Sequence, residues 1–175
     1  MLQQFYPDNE AESACDIDYE SLYAEGYRGV IFDIDNTLVP HGAPADERAR
    51  NLFARLHALG FGTVLLSNNK EPRVKPFADR VGSLYVFKAG KPGRKGYIRA
   101  MKAMGTAPGE TLFVGDQLFT DVWGAKKLGI VTYLVKPVHP KEEIQIVLKR
   151  RLEWIVLFFY RRGKCEPPAD RHHGG

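Results

Sequence analysis

Cysteine is scarce. The chain has two, Cys15 and Cys165, near opposite ends and with no CxxC spacing. That argues against a disulfide-stapled miniature and predicts two reduced thiols in a cytosolic protein. A basic n-region followed by an apolar h-region is missing, so no signal peptide is expected. Long apolar runs are missing too. The longest, residues 154–160, spans seven residues, whereas a bilayer-crossing helix needs about 20. No GxGxxG occurs, and no Gly-Lys-Ser/Thr stands at Walker spacing. Finally, residues 1–27 contain seven acids and neither Lys nor Arg.

What is present is ordinary in amount. The 175 residues suit one domain and a tail, at roughly 150 residues per domain. A 44% hydrophobic and 26% charged composition argues against disorder and collagen-like repeats. Charge is uneven: residues 1–27 carry −7, residues 28–135 carry +7 and residues 136–175 carry +4. An acidic arm before a basic body points to an anionic partner or substrate.

From residue 28 the pattern alternates. Residues 29–34 form a short β-branched apolar run, hence a buried strand. Residues 44–59 space their apolar side chains helically and stop at Gly60. Strands follow at 61–66, 83–87, 111–114 and 130–135, with helices at 71–81, 94–104 and 118–128. Five strands alternating with helices predict a three-layer α/β fold, a Rossmann-like parallel five-stranded sheet with helices on both faces. The predicted organisation is an acidic N-terminal segment (1–27), a catalytic core (28–138), a C-terminal amphipathic helix (139–162) and a flexible tail (163–175).

Ligands of open parallel sheets bind beyond the carboxyl ends of the strands. Those ends here read Asp33-Ile-Asp35-Asn36-Thr37, Ser67-Asn68-Asn69, Lys88-Ala-Gly-Lys91-Pro92 and Gly115-Asp116, with Asp121 five residues on. Clustered carboxylates need a cation, and hard oxygens suit Mg²⁺. A hydroxyl, an amide and a lysine suit phosphate oxygens. Together they predict metal-assisted phosphoryl transfer. Each cluster alone also suits turn or capping residues. Lys88 is a rival to Lys91. His41 reads as a solvated loop residue, and His57 as helix surface.

Four such motifs in this order resemble the haloacid dehalogenase (HAD) superfamily of phosphatases, over residues 28–135. The resemblance implies roles position by position. Asp33 is similar to the nucleophile that becomes an aspartyl-phosphate. Asp35 is similar to the general acid and base, with its backbone carbonyl facing the metal. Asp116 is similar to the second carboxylate ligand of Mg²⁺, and Asp121 to a holder of metal-bound water. Ser67 and Lys91 are similar to the phosphate-binding pair, with Asn68 orienting the site. Many members have Gly where this chain has Asn36, a mild departure because Asn tolerates turn conformations. Cap domains of the family are inserted after the first motif or after the second. Only 31 residues separate Asp35 from Ser67 and 23 separate Ser67 from Lys91, so no cap is expected.

Residues 115–129, with Asp-Ile-Asp-Asn-Thr-Leu and Lys-Pro, resemble the YqeG-type subclass IIIA. That group is similar to phosphatidylglycerophosphate phosphatases, which implies a phospholipid substrate. The sequence-predicted helix over 141–160 is apolar on one side and flanked by Lys149, Arg150, Arg151, Arg161 and Arg162. It suits an anionic membrane surface, and equally packing on the sheet or in a dimer. The expected setting is cytoplasmic, peripheral at the inner face of the membrane. A nucleic-acid end, a phosphoprotein and a sugar phosphate are alternative substrates, and a non-catalytic binding module is a further alternative. No nucleic-acid partner is expected, since aromatic stacking positions are not evident beside the basic loop.

Overall fold

The computed structural model describes residues 5–139. The sequence-predicted helix over 141–160 and the tail over 163–175 lie outside the described residues.

Six parallel strands form one sheet: β1 (Asn9–Ala11), β2 (Gly29–Phe32), β3 (Gly62–Leu66), β4 (Leu84–Val86), β5 (Thr111–Gly115) and β6 (Val131–Val135), in the order β1-β6-β5-β2-β3-β4. The helices are α1 (Tyr19–Ala24), α2 (Glu47–Leu59), α3 (Glu71–Val81), α4 (Arg94–Met104) and α5 (Trp123–Lys126). Alternate side chains of each strand enter opposite faces. Val30 and Phe32 of β2 join Leu65, Leu112 and Val114 beneath α1, α2 and α3. Ile31 joins Val64, Leu66 and Phe113 beneath α4 and α5. Both faces are thus apolar, which is why the central strands read as unbroken apolar runs rather than as alternation.

The sheet has six strands, where the sequence predicts five. The extra one, β1, is three residues long and mostly exposed, so it lacks the apolar run by which a strand is recognised. Polar contacts hold it to the edge instead. Asp8 Oδ2 accepts hydrogen bonds from Thr132 N (2.9 Å) and Thr132 Oγ1 (2.8 Å), and Lys126 Nζ donates to Asp8 Oδ1 at 2.7 Å. Ala14, Ile17, Tyr19 and Leu22 pack into the main core. The acidic arm is also a set of counter-ions for the bases that follow it, through Asp8–Lys126, Glu12–Lys136 and Glu20–Arg55.

Between β5 and β6 the chain departs from a regular helix. Leu118–Val122 is a wide i→i+5 turn, with Val122 N donating to Gln117 O at 3.2 Å, and it leads into the short α5. Such wide turns recur at functional sites. Among the described residues no cap domain interrupts the core: α2 and β3 take up most of the span from Asp35 to Ser67, and α3 and β4 most of the next.

Candidate active site

The chain runs from β2 through β3 to β4 on one side, then crosses to β5 on the other side of β2. The strand order therefore switches at β2, where a crevice opens at the carboxyl ends. Asp33 follows β2, and its N–H donates to Val114 O of β5 at 3.0 Å. Asp116 follows β5. The two carboxylates are neighbours because their strands are paired in register, Phe32 beside Val114.

Asp33, Asp116 and Asp121 each turn a carboxylate oxygen into one cluster, and these oxygens lie within 4.8 Å of one another. Asp33 and Asp121 are buried. Lys91 Nζ stands between them, donating to Asp33 Oδ1 at 2.6 Å and to Asp121 Oδ1 at 2.7 Å. Thr37 Oγ1 donates to Asp116 Oδ1 at 3.1 Å, and Gln117 N donates to Asp121 Oδ2 at 3.2 Å.

The electrostatics follow from burial. Burial, aided by the charges of Asp121 and Asp35 and opposed by Lys91, pushes the Asp33 carboxyl up to about 6. Burial, then the charges of Asp121 and Asp33, push Asp116 up to about 7. Burial works against the Lys91 ammonium, but Asp121 and Asp33 outweigh it and hold its pKa well above the usual lysine range. Once all three carboxylates are ionised, the single ammonium leaves two negative charges in a desolvated site. A divalent cation with hard-oxygen preference closes that balance, so the donor set fits Mg²⁺.

Asp35 is engaged differently. Its Oδ1 accepts from Arg73 Nη2 at 2.8 Å and from Gly42 N at 2.8 Å, and its Oδ2 accepts from Asn69 Nδ2 at 2.6 Å. Burial raises its pKa, but the hydrogen bonds from Arg73 and Gly42 and the charges of Arg73 and His41 outweigh burial and hold it below the usual carboxylate range. Its carboxylate is not a member of the three-acid cluster.

Ser67 follows β3, buried, with its Oγ accepting from Asn69 N at 3.1 Å. Asn68 clamps the Lys91 backbone from both sides: its Nδ2 donates to Lys91 O at 3.2 Å, and its Oδ1 accepts from Lys91 N at 2.8 Å. It therefore aims the lysine. Sequence reasoning missed Thr37, Asn69 and Arg73 as partners of the acids. The first two lie inside motifs already singled out. Arg73 stands in the first turn of α3 and has no local signal of its own. His41 is exposed, with Nδ1 at 4.0 Å from Asp35 Oδ1. His57 is exposed and pairs Nε2 with Thr63 Oγ1 at 2.8 Å.

Comparison with known proteins agrees with this geometry. The haloacid dehalogenase-like hydrolase family matches residues 42–129. The chain is 34% identical over 164 residues to "Probable phosphatase YqeG" of Bacillus subtilis (strain 168), covering 93% of this chain and 95% of that protein. It is 29% identical over 162 residues to "Phosphatidylglycerophosphate phosphatase 1, chloroplastic/mitochondrial" of Arabidopsis thaliana, covering 86% of this chain and 47% of that protein, so it spans about half the plant protein's length. Among solved structures, the HAD phosphatase of Thermococcus onnurineus shares the fold, with a TM-score of 0.50 at 15% identity, over 69% of this chain and 97% of that one. The family match over half of the chain and a relative matched nearly end to end show the same thing: the chain is an enzyme of the haloacid dehalogenase-like hydrolase family.

Proposed function

We propose that the chain is a Mg²⁺-dependent phosphomonoester hydrolase that works through an aspartyl-phosphate on Asp33 and removes the terminal phosphate of phosphatidylglycerophosphate. The observation that carries the chemistry is Asp33, a carboxylate at the switch point held 2.6 Å from Lys91 beside Asp116 and Asp121. Asp33 attacks phosphorus while the bond to the substrate alcohol oxygen breaks. Asp35 gives that oxygen a proton. Water then attacks the phosphorus of the acyl phosphate, Asp35 takes its proton, and inorganic phosphate leaves as the Asp33 carboxylate re-forms.

Lys91 and Ser67 hold the phosphoryl oxygens, and Asn68 keeps Lys91 aimed. Asp33, Asp116 and Asp121, with the Asp35 backbone carbonyl, would hold Mg²⁺, which when bound offsets the negative charge of the transferring group. The donors now on Asp35 favour its ionised form, which suits the base step. In the acid step a proton replaces one of them.

The lipid substrate is supported by the names of the plant and algal relatives, by a site that no cap domain covers among the described residues and by the basic body. The setting that follows is cytoplasmic, at the inner face of an anionic membrane. No helix among the described residues is long and apolar enough to cross a bilayer. The test is phosphate release from phosphatidylglycerophosphate in mixed micelles, beside a panel of sugar phosphates, phosphopeptides and nucleic-acid ends. Turnover should need Mg²⁺ and vanish in Asp33→Asn. Normal turnover in that variant would sink the mechanism, and preference for another panel member would sink the lipid substrate.

A further inference from the structure

We propose that the aromatic flank of the Leu118–Val122 turn seats the protein on an anionic lipid bilayer beside the phosphate site. This deepens the lipid-phosphate reading and rests on it only for the identity of the substrate. The ring of Phe5 packs on Phe119 (centroids 5.4 Å apart) and on Trp123 (5.3 Å). Phe119 remains 39% exposed and Tyr6 57% exposed. Tethering the N-terminal segment accounts for Phe5. It does not account for two large rings left in water, Tyr6 next to the half-buried Phe5 in the chain and Phe119 one turn before the half-buried Trp123.

The flank is joined to the catalytic rim. Phe119 lies two residues before Asp121 on the same turn. Lys127 Nζ sits 3.4 Å from the Trp123 ring centroid and also donates to Pro92 O at 3.3 Å, next to Lys91. Immediately beyond Pro92, Arg94 and Lys95 are exposed, and the first turn of α4 has no acid. Amphipathic aromatics favour the bilayer–water interface. Neighbouring bases favour its anionic lipids. Rings entering beside Lys127 and Arg94 would bring the headgroup layer, and a lipid phosphate within it, to the level of the strand ends that carry Asp33.

Trp123 is one of only two tryptophans, so Trp154→Phe leaves it as the sole reporter in the full chain. The probe is vesicles of brominated phosphatidylcholine, with or without phosphatidylglycerol. With phosphatidylglycerol, Trp123 emission should be quenched and shifted to the blue, and salt should weaken the effect. Adding Tyr6→Ser and Phe119→Ser should weaken partitioning about tenfold or more. Far-UV circular dichroism and hydrolysis of p-nitrophenyl phosphate should not change. Equal partitioning of the double variant overturns the proposal, as does unaltered Trp123 emission in protein that sediments with vesicles; a protein partner would then be the occupant to seek. Insertion without phosphatidylglycerophosphate turnover leaves the surface standing and removes the substrate. Turnover without insertion does the reverse.

Discussion

Lys91 lies 2.6 Å from Asp33, and the same ammonium lies 2.7 Å from Asp121. It is 4% exposed, so its charge is spent on these acids rather than on solvent. Replacing it should therefore cost both stability and turnover. Removing one partner of a buried ionic group leaves uncompensated charge and costs about 3–5 kcal/mol. Lys91→Met should lower stability by that order in urea unfolding without metal, and lower turnover at least about 100-fold. Lys91→Arg restores charge but not a compact donor between two single oxygens, so it should recover stability in part and turnover hardly at all.

Metal binding should depend on pH. Burial raises the Asp33 and Asp116 carboxyls to about 6 and about 7. A carboxylate raised on folding destabilises the fold where it is ionised, and that cost fades as pH falls through the folded value. A cation must displace the protons that these groups take up below it. Added Mg²⁺ should thus raise the thermal midpoint strongly at pH 8 and weakly at pH 5. An equal rise at both would place the ion elsewhere.

Much of this arrangement is legible in the sequence, for a physical reason. Strand ends of a parallel sheet converge on one rim, so Asp33, Ser67, Lys91 and Asp116 could be gathered from strand assignment alone. Strand β1 was illegible because three mostly exposed residues carry no apolar pattern; it exists through Asp8 and Thr132, which are 124 positions apart. The wide turn at Leu118–Val122 was illegible because its apolar spacing passes for ordinary helix. Arg73 was illegible as a partner of Asp35, since nothing local marks a long-range ion pair.

Gly115 shows how closely Asp121 is fitted. A Cβ there would stand 2.6 Å from Asp121 Oδ2 and 2.8 Å from its Cβ. The neighbour would have to move as a whole, since its near atom is not only a flexible tip. Gly115→Ala should shift Asp121 away from Lys91 and Gln117, cost about 1–3 kcal/mol through overpacking, and weaken Mg²⁺ affinity about 10-fold or more, as displaced ligands do. Calorimetric titration of folded variant with Mg²⁺ reads the second effect apart from the first. Unchanged affinity would mean Asp121 does not serve the ion.

Arg73 offers the cleanest separation of charge from packing. Its guanidinium lies over Phe77, 5.7 Å from the ring centroid, and donates to Asp35 at 2.8 Å. Asp35 has a lowered carboxyl because the Arg73 hydrogen bond leads the influences that outweigh burial. A lowered carboxyl contributes stability that is present above its unfolded pKa, about 3.9, and is lost as pH falls through the folded value. Arg73→Gln keeps length and removes charge. It should lose about 1.5–3 kcal/mol at pH 7, the range for hydrogen bonds to ionised groups, and lose little more than packing once both proteins are acidified below that value. Lys75, in an exposed pair with Asp79, is the control: Lys75→Gln should shift the midpoint at neither pH. A penalty for Arg73→Gln that stays constant with pH would trace to Phe77 rather than to Asp35, and would leave Asp35 held by Asn69 and Gly42 alone.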